Sequence, residues 1–195
     1  MENIFVEVFG EKIFVKNNML YLGNKKISKI SQIKGLEELS SLKSLNLFNN
    51  KINKIENLNT LEQLEKLNLY GNLIKHIFGL ENLKNLNILY LSNNQITEIR
   101  NLDELEHLKR LSLEENQIKK ISGLSKLVNL EYLNLFDNEI KAVRGLENLG
   151  CLNKLRLGNN PIDNNIIEEC GGLDNQGFAL NPQNFVSYSL NKTKN

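Results

Sequence analysis

Cysteine is nearly absent: Cys151 and Cys170 are the only two, too few for a disulfide framework and not spaced as metal ligands. Two free thiols fit a reducing compartment, so a cytoplasmic location is expected. The opening Met1-Glu2-Asn3-Ile4-Phe5 lacks the basic n-region and long apolar h-region of a secretory signal, which agrees with that expectation. No apolar run approaches the roughly 20 residues needed to cross a bilayer, so no membrane partner is expected. Histidine is equally scarce. His76 and His107 are far apart in the sequence, and neither has a cysteine or serine partner suited to nucleophilic catalysis. Phosphate-binding glycine loops and a His-Glu-x-x-His pair are missing as well. Adjacent acids such as Glu114-Glu115 have nothing that would enclose them and separate their pKa values. Glu168 and Glu169, next to Cys170, would raise its thiol pKa rather than activate it. The expectation is a protein with no enzymatic activity, cofactor or metal. Charge of one sign is also lacking, with 24 Lys and Arg against 23 Asp and Glu. That balance speaks against nucleic acid as the partner.

What the chain does have is a period. Asn50, Asn72, Asn94, Asn116, Asn138 and Asn160 recur every 22 residues. Leucine stands five and three positions before each one, and isoleucine two after. A fixed period of this length predicts a solenoid, since one repeat alone cannot bury its apolar face. Each Leu-x-Leu segment, such as Leu89-Tyr90-Leu91, reads as a short strand with its leucines inward. The apolar residues that follow are spaced by three, from Ile96 to Leu108, which suits 3₁₀-like or irregular turns, where i and i+3 eclipse. Gly79, Gly123 and Gly145 stand where a positive φ is required, and Asn57 and Asn101 take the same position. The six asparagines have a structural reading: a buried amide with two donors and an acceptor pairs the backbone of its own turn and of its neighbour.

The chain is expected to be one domain, residues 1–195. Residues 1–22 hold an N-terminal hairpin (Ile4–Phe9, turning at Gly10-Glu11-Lys12 into Ile13–Val15) and a first strand, Met19–Leu22. Residues 23–162 are the repeats, with one extra triplet inserted between Ile27 and Leu42. Residues 163–190 form a C-terminal cap. Its first helix runs from Asn164 to about Cys170, capped by Asp163 and stopped by Gly171-Gly172, and its second starts at Pro182. Residues 191–195 are expected to fray.

These residues resemble leucine-rich-repeat proteins of the 22-residue type, similar in class to the regulatory repeat subunit of protein phosphatase 1. The likeness covers roughly residues 20–162. It implies an α/β fold: a right-handed solenoid with a parallel concave sheet, 3₁₀ or irregular convex turns, a β-hairpin cap and a short helical C-terminal cap. It also implies an interaction scaffold that grips a protein partner on the concave sheet, with regulation of a phosphatase or GTPase-type enzyme among its roles. The alternatives are an RNA- or ribonucleoprotein-associated repeat protein and a self-associating structural module; a monomer is the expected state. The hairpin and the Pro182–Tyr188 ending differ from the caps of the phosphatase subunit.

The outward strand positions are free of the apolar skeleton, so partner contacts are expected there. Of the five tyrosines and eight phenylalanines, Phe48, Tyr70, Tyr90, Tyr132 and Phe136 fall on this face. Exposed aromatics at the centre of a face are the usual anchors of protein interfaces. Arg110, Arg156, Glu114 and Asp137 are expected to orient the partner, because basic residues flank the start of the strands and acidic ones their end. Lys54, Lys75, Lys119, Lys120 and Lys141, with His76, read as a solvated basic rim.

Overall fold

The computed structural model describes residues 4–193. Seven three-residue strands form one parallel sheet in chain order: β3 (Met19–Tyr21), β4 (Ser44–Asn46), β5 (Lys66–Asn68), β6 (Ile88–Tyr90), β7 (Arg110–Ser112), β8 (Tyr132–Asn134) and β9 (Lys154–Arg156). From β4 onward the register is locked to the sequence period, so Leu45, Leu67, Leu89, Leu111, Leu133 and Leu155 lie side by side. The first step is longer. Met19 pairs with Ser44, and the extra triplet lengthens the back of that turn, where Ile30–Gln32 and Leu36–Glu38 form two 3₁₀ turns. Later repeats keep the same geometry in brief. Leu61 N–H donates to Leu58 O and Leu64 N–H to Leu61 O, at 3.0 and 2.9 Å, and later repeats copy both bonds. Leucines and isoleucines of every repeat meet in one continuous core, from Leu20 to Leu157.

The asparagine ladder holds the turns that leave each strand. Asn94 Nδ2 donates to Leu91 O of its own turn at 3.0 Å and to Leu69 O of the preceding repeat at 3.0 Å. Its Oδ1 accepts from Ile74 N–H at 3.0 Å. Asn72, Asn116, Asn138 and Asn160 repeat the pattern, while Asn50 Oδ1 accepts from both Lys25 and Ile27. Each of these buried carbonyls accepts from two successive asparagines, and Ile74 N–H is paired by Asn94, so the amides link every turn to the next.

Both ends of the core are closed by segments outside the repeat. At the N-terminus β1 (Phe5–Val8) and β2 (Glu11–Phe14) make an antiparallel hairpin, with Val6 and Val8 buried against the first turn. The turn is the two-residue Phe9-Gly10, both with positive φ, and not the expected Gly10-Glu11-Lys12. A two-residue turn of this hand matches the twist of the strands it joins, so Glu11 and Lys12 enter β2. At the C-terminus α1 (Asn164–Glu169) starts at Asp163, whose carboxylate accepts from Asn165 N–H at 2.9 Å. Residues 177–179 then close the sheet edge, with Ala179 N–H donating to Leu155 O at 2.8 Å.

The last helix, α2 (Pro182–Thr193), lays Phe185, Val186 and Ser189 on the core. Ser189 Oγ accepts from Leu146 N–H at 3.1 Å and donates to Glu147 at 2.8 Å. The helix continues through Asn191, Lys192 and Thr193, which are therefore not the frayed tail expected from 191; residues 194–195 lie outside the described residues. Cys170 is buried in this cap, and Cys151 is exposed. Burial, with a smaller contribution from Glu169, pushes the Cys170 thiol up to about 11.

Candidate partner-binding face

Lockstep register turns each outward repeat position into a column running across the sheet. One column carries Ser44, Lys66, Ile88, Arg110, Tyr132 and Lys154; the next carries Asn46, Asn68, Tyr90, Ser112, Asn134 and Arg156. A third, just beyond the strands, carries Phe48, Tyr70, Ser92, Glu114, Phe136 and Gly158. The five expected aromatics are therefore on one face, and their environments differ. Tyr70 is exposed, at 39% of its accessible area, while Phe48, Tyr90, Tyr132 and Phe136 are half-buried. Phe48 lies across Gly23, where a Cβ would come within 1.9 Å of the ring. Phe136 lies 3.2 Å from the Cβ positions that Gly158 and Gly177 lack. The rings do not stack on one another. Cations cover them instead: Lys66 over Tyr90 at 5.6 Å, Arg110 over Tyr132 at 4.5 Å and Arg156 over Phe136 at 3.9 Å. Burial raises the Tyr132 phenol pKa; Arg110 counters that rise and Glu114 adds to it.

The middle of the face is made of small residues. Ser92 and Ser112 are buried, with their hydroxyl oxygens 2.8 Å apart. In their columns Ser92 stands between Tyr70 and Glu114, and Ser112 between Tyr90 and Asn134. Two buried serines thus stand among ring-bearing and longer side chains in the middle of the face.

At the C-terminal side the charged residues are tied together. Arg156 Nη1 bonds Glu114 at 2.8 Å, and the other Glu114 oxygen accepts from Asn134 at 2.8 Å. Arg156 Nε donates to Gln176 O at 2.8 Å, and its guanidinium also lies over Phe178 at 5.3 Å. Glu114 and Arg156 are therefore joined to each other, whereas Arg110 and Asp137 are exposed. Phe178 belongs to this corner although no repeat position marks it. The one available signal was its place in the cap, where the chain must return to the open edge of β9.

Glu115, Asp137 and Glu139 line the end of the strands next to Asn116 and Asn138. The basic rim is partly paired: Lys54 meets Glu56 at 3.6 Å, and Lys119 meets Glu139 at 3.7 Å. Lys119, Lys120, Lys141 and Arg144 also edge a shallow groove of about 570 Å³ over Ile121 and Ala142. Among the described residues no three His, Cys, Asp or Glu side chains converge as metal ligands. No described helix is long and apolar enough to cross a membrane.

The family model for leucine-rich repeats in two copies matches residues 62–104, 84–126 and 106–148, in steps that equal the period of the asparagine ladder. The chain is a leucine-rich-repeat protein. Solved structures of the same fold include an internalin, InlF, from Listeria monocytogenes, with 34% identity over 73% of this chain and a TM-score of 0.66. Internalin C2 of the same species matches 75% of this chain at 29% identity, with a TM-score of 0.58. A leucine-rich-repeat protein of Leptospira interrogans matches 71% at 27% identity, also with a TM-score of 0.58. The chain spans 41% of the InlF chain, 73% of the internalin C2 chain and 36% of the Leptospira chain. No curated protein matches it by sequence. Leucine-rich-repeat proteins are in general protein–protein interaction modules, and the likeness to the phosphatase regulatory subunit is one of repeat class alone.

Proposed function

We propose that this leucine-rich-repeat protein is a non-enzymatic scaffold that binds a protein partner on its concave sheet. The observation that supports this most is the gathering of aromatics on this face around Ser92 and Ser112, with Tyr70 and Tyr90 as column neighbours and Tyr132 and Phe136 in the repeat beyond. A partner side chain packing there meets aromatic neighbours, while the exposed Arg110, over the Tyr132 ring, and Asp137, which accepts from Asn159, help to select its charge pattern. Tyr70, Tyr90 and Tyr132 are the principal anchors in this reading. Phe48 packs on Gly23, and Phe136 packs on Gly158 and Gly177 with the Arg156 guanidinium over its ring. Glu114 and Arg156, joined to each other, set the shape of one wall. Because the sheet is rigid before binding, little conformational entropy is lost on association, and a few anchors suffice for affinity.

The test is capture of partners from the host lysate, wild type beside a folded variant carrying Tyr70→Ala, Tyr132→Ala and Phe136→Ala. A protein retained by the wild type and lost by the variant is the expected result. The single change Tyr70→Ala should weaken that complex by about 2 kcal/mol, as truncation of an aromatic anchor does. Equal retention by both proteins would move the binding surface off this face.

A further inference from the structure

A capping segment must present a polar outer surface if the end of a solenoid is to stay in water. The C-terminal cap meets that requirement over most of α2, whose exposed positions include Asn184, Ser187, Asn191 and Lys192. The N-terminal hairpin does not. Val6 and Val8 face the core, so strand alternation turns Phe5, Glu7, Lys12 and Phe14 outward. Phe5 is 38% exposed and Phe14 45%, and Ile4 and Phe9 at the two ends of β1 reach 55% and 64%. The two cross-strand rings meet edge to face at 5.8 Å, and the Lys12 ammonium lies 4.3 Å from the centre of the Phe5 ring.

We infer that this hairpin face is a homodimer interface, covered by the same face of a second copy of the chain. The argument for that occupant is its self-complementarity. Phe5 is directly opposite Phe14, and Glu7 directly opposite Lys12. A two-fold axis lying in the interface, parallel to the two strands and midway between them, lays the aromatic row of one copy against that of the other. The same rotation brings Glu7 against Lys12 of the second copy, twice, so these two charges are matched by symmetry. Lys34 is the antiparallel neighbour of Glu7 at the outer edge of β1 and bonds it at 3.0 Å, so it stands at the margin of this face, beyond the Phe5–Phe14 row. The face is small beside the roughly 800 Å² per partner of a standard interface, so the dimer forms only at high protein concentration.

Sedimentation equilibrium over a concentration series reaching the millimolar range tests this. The wild type should approach twice the chain mass. Lys12→Glu alone sets Glu7 against a second acid, and Glu7→Lys alone sets Lys12 against a second base, so each variant should stay monomeric. Mixed in equal amounts the two variants regain both attractions and should form a heterodimer. Circular dichroism of each variant, unchanged from the wild type, excludes unfolding as the cause. A wild type that is monomeric throughout overturns the inference, and so does a dimer that both charge variants leave intact. The variant with Tyr70→Ala, Tyr132→Ala and Phe136→Ala should dimerise as the wild type does, which separates this surface from the concave one.

Discussion

At the scale of single residues, the asparagine of each repeat carries a burden out of proportion to its size. One amide serves Leu69 O, Leu91 O and Ile74 N–H together, and these groups belong to two different repeats. Alanine at position 94 would leave Ile74 N–H buried without a partner, at a cost of about 1–3 kcal/mol, and would strip Leu69 O and Leu91 O of one of their two amide donors, Asn72 and Asn116 keeping the other. Asn94→Ala is therefore expected to lose about 2 kcal/mol or more in urea unfolding, with the loss spread over both repeats it joins. A change below about 0.5 kcal/mol, the range of an ordinary surface substitution, would contradict the account. The serines show the opposite case. Ser92 and Ser112 occupy outward positions yet are buried, because each is short and its neighbours are long. Alternation gives the direction of a side chain, and only the neighbours give its exposure.

Among the structural elements, the back turns show why glycine and asparagine share one position. Gly145 has a φ of 83°, and a Cβ there would stand 2.2 Å from Ile121 O. Asn101 occupies the equivalent place with a φ of 58°, and its amide donates to Ile77 O at 2.7 Å. Asparagine thus turns the close approach of a carbonyl into a hydrogen bond, which alanine cannot do. Gly145→Ala should cost about 2–3 kcal/mol in thermal or urea unfolding, and Gly145→Asn distinctly less. If alanine proved the milder change, the carbonyl contact would not be what restricts the position.

This element scale was also where the sequence spoke most clearly. Strand, ladder and back turn follow from one repeated pattern, and six copies fix the register without ambiguity. The hairpin turn falls one residue earlier than expected because Phe9, an aromatic residue that rarely takes positive φ, adopts it beside Gly10. The corner formed by Arg156, Glu114 and Phe178 was hidden for a different reason. Its members come from repeats and cap segments far apart in sequence, and no period relates them. Only the aromatic columns of the candidate face were legible. How far each ring is covered depends on cations and glycines in adjacent repeats.

For the whole molecule, nearest-neighbour contact is nearly the only kind there is, so stability should be graded from the ends. The caps stand between the core and water. Phe185 is fully buried and seals the last repeats from α2. Phe185→Ala is expected to cost about 3–5 kcal/mol. In hydrogen exchange the loss of protection should be largest at β8 and β9 and smallest at β4, because openings propagate repeat by repeat. Equal loss along the entire sheet would mean that the solenoid unfolds as one unit.

The lockstep columns have one more consequence. Residues that build the core and residues that point outward from the sheet occupy different places in every repeat. Three columns across six repeats amount to a grid of addresses on a fixed frame, coupled where a cation covers a ring in the next repeat or a ring rests on glycine. Outside those couplings, the Glu114–Arg156 corner and the buried Ser92–Ser112 pair, an address can be rewritten at little cost to the frame. A lineage carrying this fold can therefore change the character of that surface by single substitutions while the core that holds it stays the same.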